Sequence, residues 1–141
     1  MLKPLIALSI SAGLLTCNVS VAQAETFSCH ATKNTVDHFM EVTIQNGTIS
    51  TFDYSSSTPV AGSVNNCLVA SNGAKVTQSS NGAQVFALPN DDTVTVSKKG
   101  KQFVFDFSKV SLSDFCGQSS TMATHLTITP GVKRCSGIDN F

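Results

Sequence analysis

Thr93-Val-Thr-Val-Ser-Lys-Lys-Gly-Lys-Gln-Phe-Val-Phe-Asp-Phe107 is the stretch that decides the fold. Its apolar residues alternate with polar ones on either side of a Lys-Lys-Gly-Lys break, the pattern of two strands joined by a tight turn. A two-residue turn at Lys99-Gly100 would set Lys98 opposite Lys101, Val96 opposite Phe103 and Val94 opposite Phe105. Side chains alternate faces along a strand, so Val94, Val96, Phe103, Phe105 and Phe107 then share one side. Thr95 and Val104 lie on the other, with Asp106 opposite Thr93. A hairpin with one apolar face needs a second layer to bury it.

Further turns lie on both sides of this hairpin. Asn46-Gly47 inside Val36–Tyr54 suits a type I′ turn, which needs positive φ at both central residues. It pairs Ile44 with Ile49, Val42 with Thr51 and Phe39 with Tyr54, and the pattern then conflicts. Met40, Val42, Ile44 and Ile49 fall on one face, and Phe39, Phe52 and Tyr54 on the other. A bulge that flips the phase resolves this, since a small domain has little with which to cover two faces.

Thr26–Lys33 reads as a first strand. Ser55–Asn66 lacks any period and reads as a long loop, a place where contacts with partners are often made. Asn72-Gly73 is expected to close a third hairpin with Val69 facing Val76. Ser80-Asn81-Gly82 turns into Ala83–Leu88, and Pro89–Asp92 turns into the opening hairpin. Ser111–Phe115 suits one helical turn, Thr121–Thr129 a last strand, and Val132–Phe141 a tail pinned at Cys135. Nowhere do apolar residues recur at helical spacing for three turns. The expected fold is all-β: a small antiparallel barrel or sandwich of about eight strands, stabilised by disulfides.

The chain begins Met-Leu-Lys-Pro, runs through an apolar stretch from Leu5 to Leu15, and reaches Ala22-Gln23-Ala24. A basic start, a short apolar middle and a small-x-small end make residues 1–24 a secretory signal peptide, too short to span a bilayer. Residues 25–141 are then a single all-β domain, periplasmic or secreted. A second reading takes Leu14-Leu15-Thr16-Cys17 as a lipobox, with a lipid anchor on Cys17. Cleavage after Ala24 removes Cys17 and leaves Cys29, Cys67, Cys116 and Cys135, an even number that reads as two disulfides. The expected pairing is Cys29–Cys67 with Cys116–Cys135. The nested alternative joins Cys29 to Cys135 and Cys67 to Cys116.

Of nine basic residues Lys3 leaves with the leader, so eight face nine acidic ones. That balance gives no electrostatic reason to expect nucleic acid or an anionic membrane. The histidines His30, His38 and His125 show no HxH or HxxxH spacing, so no metal or other cofactor is expected. There is no Gly-x-Ser-x-Gly elbow, and Glu occurs only at 25 and 41, which leaves few acid/base groups. With no Trp and one Tyr, stacking on a sugar is not favoured either.

Lys98, Lys99 and Lys101 crowd the tip of the central hairpin, a candidate contact with an acidic cleft on another protein. In outline, the export signal, size and disulfide-tied meander resemble the small periplasmic inhibitors of c-type lysozyme, which are eight-stranded barrels. Their Ser-Gly-x-x-Tyr signature is absent. The nearest stretch is Ser80-Asn81-Gly82-Ala83-Gln84-Val85, with an inserted Asn and no Tyr, and membership is not drawn from it. The expected function is that of a non-enzymatic exported binding protein, such as an inhibitor or immunity-type protein. The alternatives are a small secreted enzyme or metal-binding protein using His30, His38 or His125, and a structural envelope-associated protein.

Overall fold

The computed structural model describes residues 17–140. The basic start, the apolar run Leu5–Leu15 and the first three lipobox residues lie outside them, while Cys17 is exposed with a free thiol. Pairing begins at Glu25, the residue after the expected cleavage point.

Ten strands form two antiparallel sheets that do not close into a barrel. The first sheet takes β1 (Glu25–Lys33), β2 (Val36–Gln45), β3 (Thr48–Val60) and β4 (Ser63–Ala70) in chain order. The second contains β5 (Lys75–Gln78), β6 (Gln84–Ala87), β7 (Thr93–Lys99), β8 (Gln102–Lys109), β9 (Ala123–Ile128) and β10 (Ser136–Asn140). These too lie next to one another in chain order, from β5 to β10. A single helical turn, α1 (Leu112–Phe115), interrupts them. Within each sheet every strand pairs with the one made just before it, and only the step from β4 to β5 changes sheets.

The β7–β8 hairpin buries the five residues expected to share a face, Val94, Val96, Phe103, Phe105 and Phe107. Its turn, however, sits at Gly100-Lys101, with Lys99 opposite Gln102, Lys98 opposite Phe103 and Val96 opposite Phe105. Gly100 takes φ +59° at the first central position, where a type II′ turn wants glycine. A turn one residue earlier would have placed Lys99 there instead. Moving the turn by one residue changes each partner by two positions and leaves the faces as they were. Asp106 therefore faces Thr95, not Thr93.

In the β2–β3 hairpin Asn46 and Gly47 have φ +53° and +74°, as a type I′ turn requires. Ile44 faces Ile49, and then the register slips by one, so that Thr43 faces Thr51, Val42 faces Phe52 and Met40 faces Tyr54. The extra residue is the expected bulge. It rotates Phe52 and Tyr54 into the core beside Met40 and Val42 and leaves Phe39 outside.

Further expectations fail: residues 136–140 of the expected tail form β10, so Thr121–Thr129 is not the last strand. Ser55–Asn66 is not a loop: β3 runs on through it, turns at Ala61-Gly62 with Gly62 at φ +74°, and returns as β4. Side-chain hydrogen bonds hold this polar segment extended. Ser56 Oγ, fully buried, donates to Thr121 O at 2.7 Å, and Thr121 N donates to Thr58 Oγ1 at 2.9 Å. Apolar periodicity cannot see such a strand. Asn72-Gly73, in turn, closes no hairpin. It carries the chain from β4 in one sheet to β5 in the other, and Val76 faces Phe86 rather than Val69.

The core lies between the sheets. Phe52 of the first sheet meets Phe86 and Phe105 of the second edge to face, with ring centres 5.1 and 5.4 Å apart, and Tyr54 meets Phe107 at 4.8 Å. Gln84 fastens one corner: its amide accepts from Ile49 N at 2.9 Å and donates to Ile49 O at 2.8 Å, imitating a strand partner.

The disulfides take the nested pairing, Cys29–Cys135 and Cys67–Cys116, which corrects the expected one. Cys29 and Cys67 lie on β1 and β4, the two outer strands of one sheet, roughly 14 Å apart at the usual strand spacing and beyond disulfide reach. Each bridge instead ties an outer strand to chain arriving from the second sheet. His30 N donates to Lys133 O at 2.9 Å alongside one bridge, and Gly117 N to Asn66 O at 2.9 Å alongside the other. Both edges of this first sheet are thus met by chain from the second. Two such bonds indicate an oxidising environment outside the cytoplasm. Among the described residues no helix is long and apolar enough to cross a membrane.

Candidate functional site

Alternation along β1 to β4 sends half their side chains outward, away from the core. Register then sets His30, Phe39, Ser55 and Leu68 in one row across the sheet. Phe39 is 41% exposed and Leu68 66%, and between them small Ser55 leaves a shallow cleft of about 320 Å³. The next row is Ser28, Glu41, Asp53 and Ala70, so two carboxylates stand directly opposite each other beside the cleft. Like charges facing across strands cost stability. Asp37, also outward, extends the acidic rim, 3.7 Å from His30 Nε2. An aromatic and an aliphatic side chain in an acidic frame is chemistry for gripping a partner that offers apolar and basic groups.

The lysine tip is partly committed to the fold. Lys98 Nζ donates to Gly47 O at 3.2 Å and lies 5.5 Å over the centre of the Phe103 ring. It therefore clamps the β7–β8 turn to the β2–β3 turn. Lys99 and Lys101 remain exposed.

The three histidines are far apart in role. His30 is on the outer face. His125 on β9 stands between two half-exposed or exposed carboxylates, 3.7 Å from Asp106 and 3.8 Å from Asp139. Among the described residues no three His, Cys, Asp or Glu side chains gather as metal ligands. His38 is fully buried on the inner face of β2. Its Nδ1 lies 2.9 Å from the Tyr54 hydroxyl, which accepts from Ala123 N at 2.7 Å. With that N–H accepted, the Tyr54 hydroxyl is best placed to donate to His38 Nδ1, which leaves the ring's own proton on Nε2. The Asn140 side chain of β10 is the neighbour on that side, although neither Nε2 nor Asn140 Oδ1 completes a hydrogen bond.

Burial lowers the His38 pKa, and Asp37 and Asn140 offset only part of that. Burial likewise raises that of Tyr54. Through the Tyr54 hydroxyl the neutral ring links β2 and β3 to β9. In the unfolded chain the ring titrates near 6.5. As pH falls through that value the unfolded state takes up a proton that the folded state resists, so stability declines until the lowered folded value is passed. The urea midpoint is expected to fall between pH 7.5 and pH 5. His38→Gln should reduce that fall, and an unchanged slope in the variant would place the titrating group elsewhere.

Sequence reasoning found the lysine tip and the histidines but missed the Phe39–Leu68 cleft, because Leu68 comes beside Phe39 only through β3. The Ser80–Val85 stretch runs from the turn between β5 and β6 into the start of β6, at the open edge of the second sheet. No protein-family model, curated protein or solved structure matches this chain.

Proposed function

We propose that this protein is an exported, non-enzymatic binding module that attaches to another protein and blocks it, in the manner of an inhibitor or immunity-type protein. The observation that carries this is the outer face of the β1–β4 sheet. Phe39 and Leu68 are exposed on either side of a cleft, with Glu41 and Asp53 opposed in register next to it. An arrangement that costs stability and leaves an aromatic ring in water fits a surface shaped for a partner better than one shaped for folding. Two disulfides keep the face stiff, so little order is lost on docking. The partner expected is a protein with a basic surface bearing an apolar side chain. Lys99 and Lys101 at the hairpin tip are a separate surface for the same test.

Immobilised protein would be used to capture partners from an extracytoplasmic extract of the producing cells. A captured protein should be lost with Phe39→Asp or Leu68→Asp, lost with Glu41→Lys/Asp53→Lys, and retained with Lys99→Glu/Lys101→Glu. Capture that is the same with all the variants would end the case for the sheet face. Loss only with the lysine variant would move the interface to the tip.

A further inference from the structure

Bordering the acidic face at His30 and Thr32, which both contact Asp37, two adjoining grooves run where the edge of β1 meets the chain leading into β10. One, of about 630 Å³, is lined by Thr32, Lys33, Gln102, Thr129, Arg134 and Ser136 among others. The second, of about 400 Å³, shares Thr32 and Arg134 and adds His30 and Lys133. Three permanent cations thus line the pair, and no carboxylate does, in a chain with nine acidic and nine basic residues.

Among the described residues Lys133 and Arg134 make no ion pair. Asp139 approaches Lys33 only to 3.9 Å, with both side chains largely in water, where such a pair contributes little. Lys33 also donates to Ile138 O. The wall carrying Arg134 is fixed by the adjacent Cys29–Cys135 bridge and by backbone hydrogen bonds from His30 N to Lys133 O and from Cys135 N to His30 O, 2.9 and 3.3 Å.

We propose that this groove binds a small hydroxyl-rich anion, a sugar acid or a sugar phosphate. Arg134 and Lys33 meet the oxyanion, for which a guanidinium fork and an ammonium are suited. Thr129, Ser136 and Gln102 supply uncharged donors and acceptors for the hydroxyls, and Thr32, whose own hydroxyl donates to Asp37, offers an acceptor. The volume is that of an ordinary small-molecule site. Because Lys33 and Arg134, which meet the oxyanion, are not part of the Phe39–Leu68 face, and the two sites share only His30, the assignment stands or falls independently of the protein-binding reading.

The test is an amide-shift NMR titration of the isotope-labelled full chain with glucuronate, glucose 6-phosphate, glucose and inorganic phosphate. At least one of the two sugar anions should shift the amides of Thr32, Arg134, Ser136 and Gly137, and which one does so separates carboxylate from phosphate recognition. Glucose should leave them in place, and inorganic phosphate should bind more weakly than the sugar anion. Arg134→Gln or Lys33→Gln is expected to weaken binding about tenfold, the scale of one charge-assisted contact. Lys109→Gln, outside the groove, should leave it within about twofold. Absence of shifts with both sugar anions would overturn the assignment, as would equal binding of glucose or unchanged affinity in both groove variants. Inorganic phosphate binding as tightly as the sugar anion would remove the hydroxyl contacts from it.

Discussion

Replacing Cys29 and Cys135 together by alanine is expected to lower stability by about 4–5 kcal/mol. The bridge spans 106 residues of sequence, so its loss restores to the unfolded chain almost the full freedom of its two ends. Cys67–Cys116 spans 49, and because loop entropy grows only with the logarithm of length, its removal should cost about 4 kcal/mol, only slightly less. With a urea slope of about 1–3 kcal/mol/M, either change moves the midpoint by roughly 2 M. Domains of this size are stable by about 5–15 kcal/mol, so losing both bridges should leave the chain largely unfolded at 37 °C. Removing Cys135 alone gives a sharper result. Cys29 should then keep a free thiol rather than capture Cys67, because β2 and β3 lie between them. A midpoint that hardly moves in either double variant would mean that the sheets hold each other without the bridges.

Phe52→Ala is expected to cost about 3–5 kcal/mol, whereas Phe39→Ala should stay within about 0.5 kcal/mol of the parent. Phe52 is 1% exposed, and its ring touches Phe86, Phe105 and Phe107 across the gap between the sheets, with centres 5.1, 5.4 and 6.3 Å away. Truncation leaves a cavity that three rings from two different strands cannot collapse to fill. At roughly 4 °C per kcal/mol, Tm should drop by more than about 10 °C. Phe39 faces water, so its truncation should alter partner capture and leave Tm in place. Comparable losses in both variants would mean that the bulge in β3 does not set the phase as described.

That bulge also shows how far the sequence could be followed. Asn46-Gly47 fixed one end of the β2–β3 hairpin, and the clash between the two sets of apolar residues required an extra residue before Tyr54. The face of the β7–β8 hairpin was equally legible. A slip in the turn from Lys99-Gly100 to Gly100-Lys101 changed partners by two and so preserved every inward side chain. The candidate site was legible only in part. Phe39 was grouped with Phe52 and Tyr54, which the bulge turned inward without it, while Ser55 lay in a stretch with no apolar period and Leu68 in a hairpin expected elsewhere.

By itself, the sequence determined the all-β class, most of the turns and the inward set of valines and phenylalanines. These follow from interactions between neighbours in the chain: strand alternation, positive φ at glycine and asparagine, and the absence of helical spacing. Tertiary structure alone decided the pairing of cysteines, the polar strand through Ser55–Thr58, and the meeting of Lys33 with Arg134. Each of those depends on two segments far apart in sequence lying side by side. Ser56 is held in its strand because Thr121 O is there to accept its hydrogen bond, and Cys29 finds Cys135 because the chain leading into β10 returns along the edge of β1.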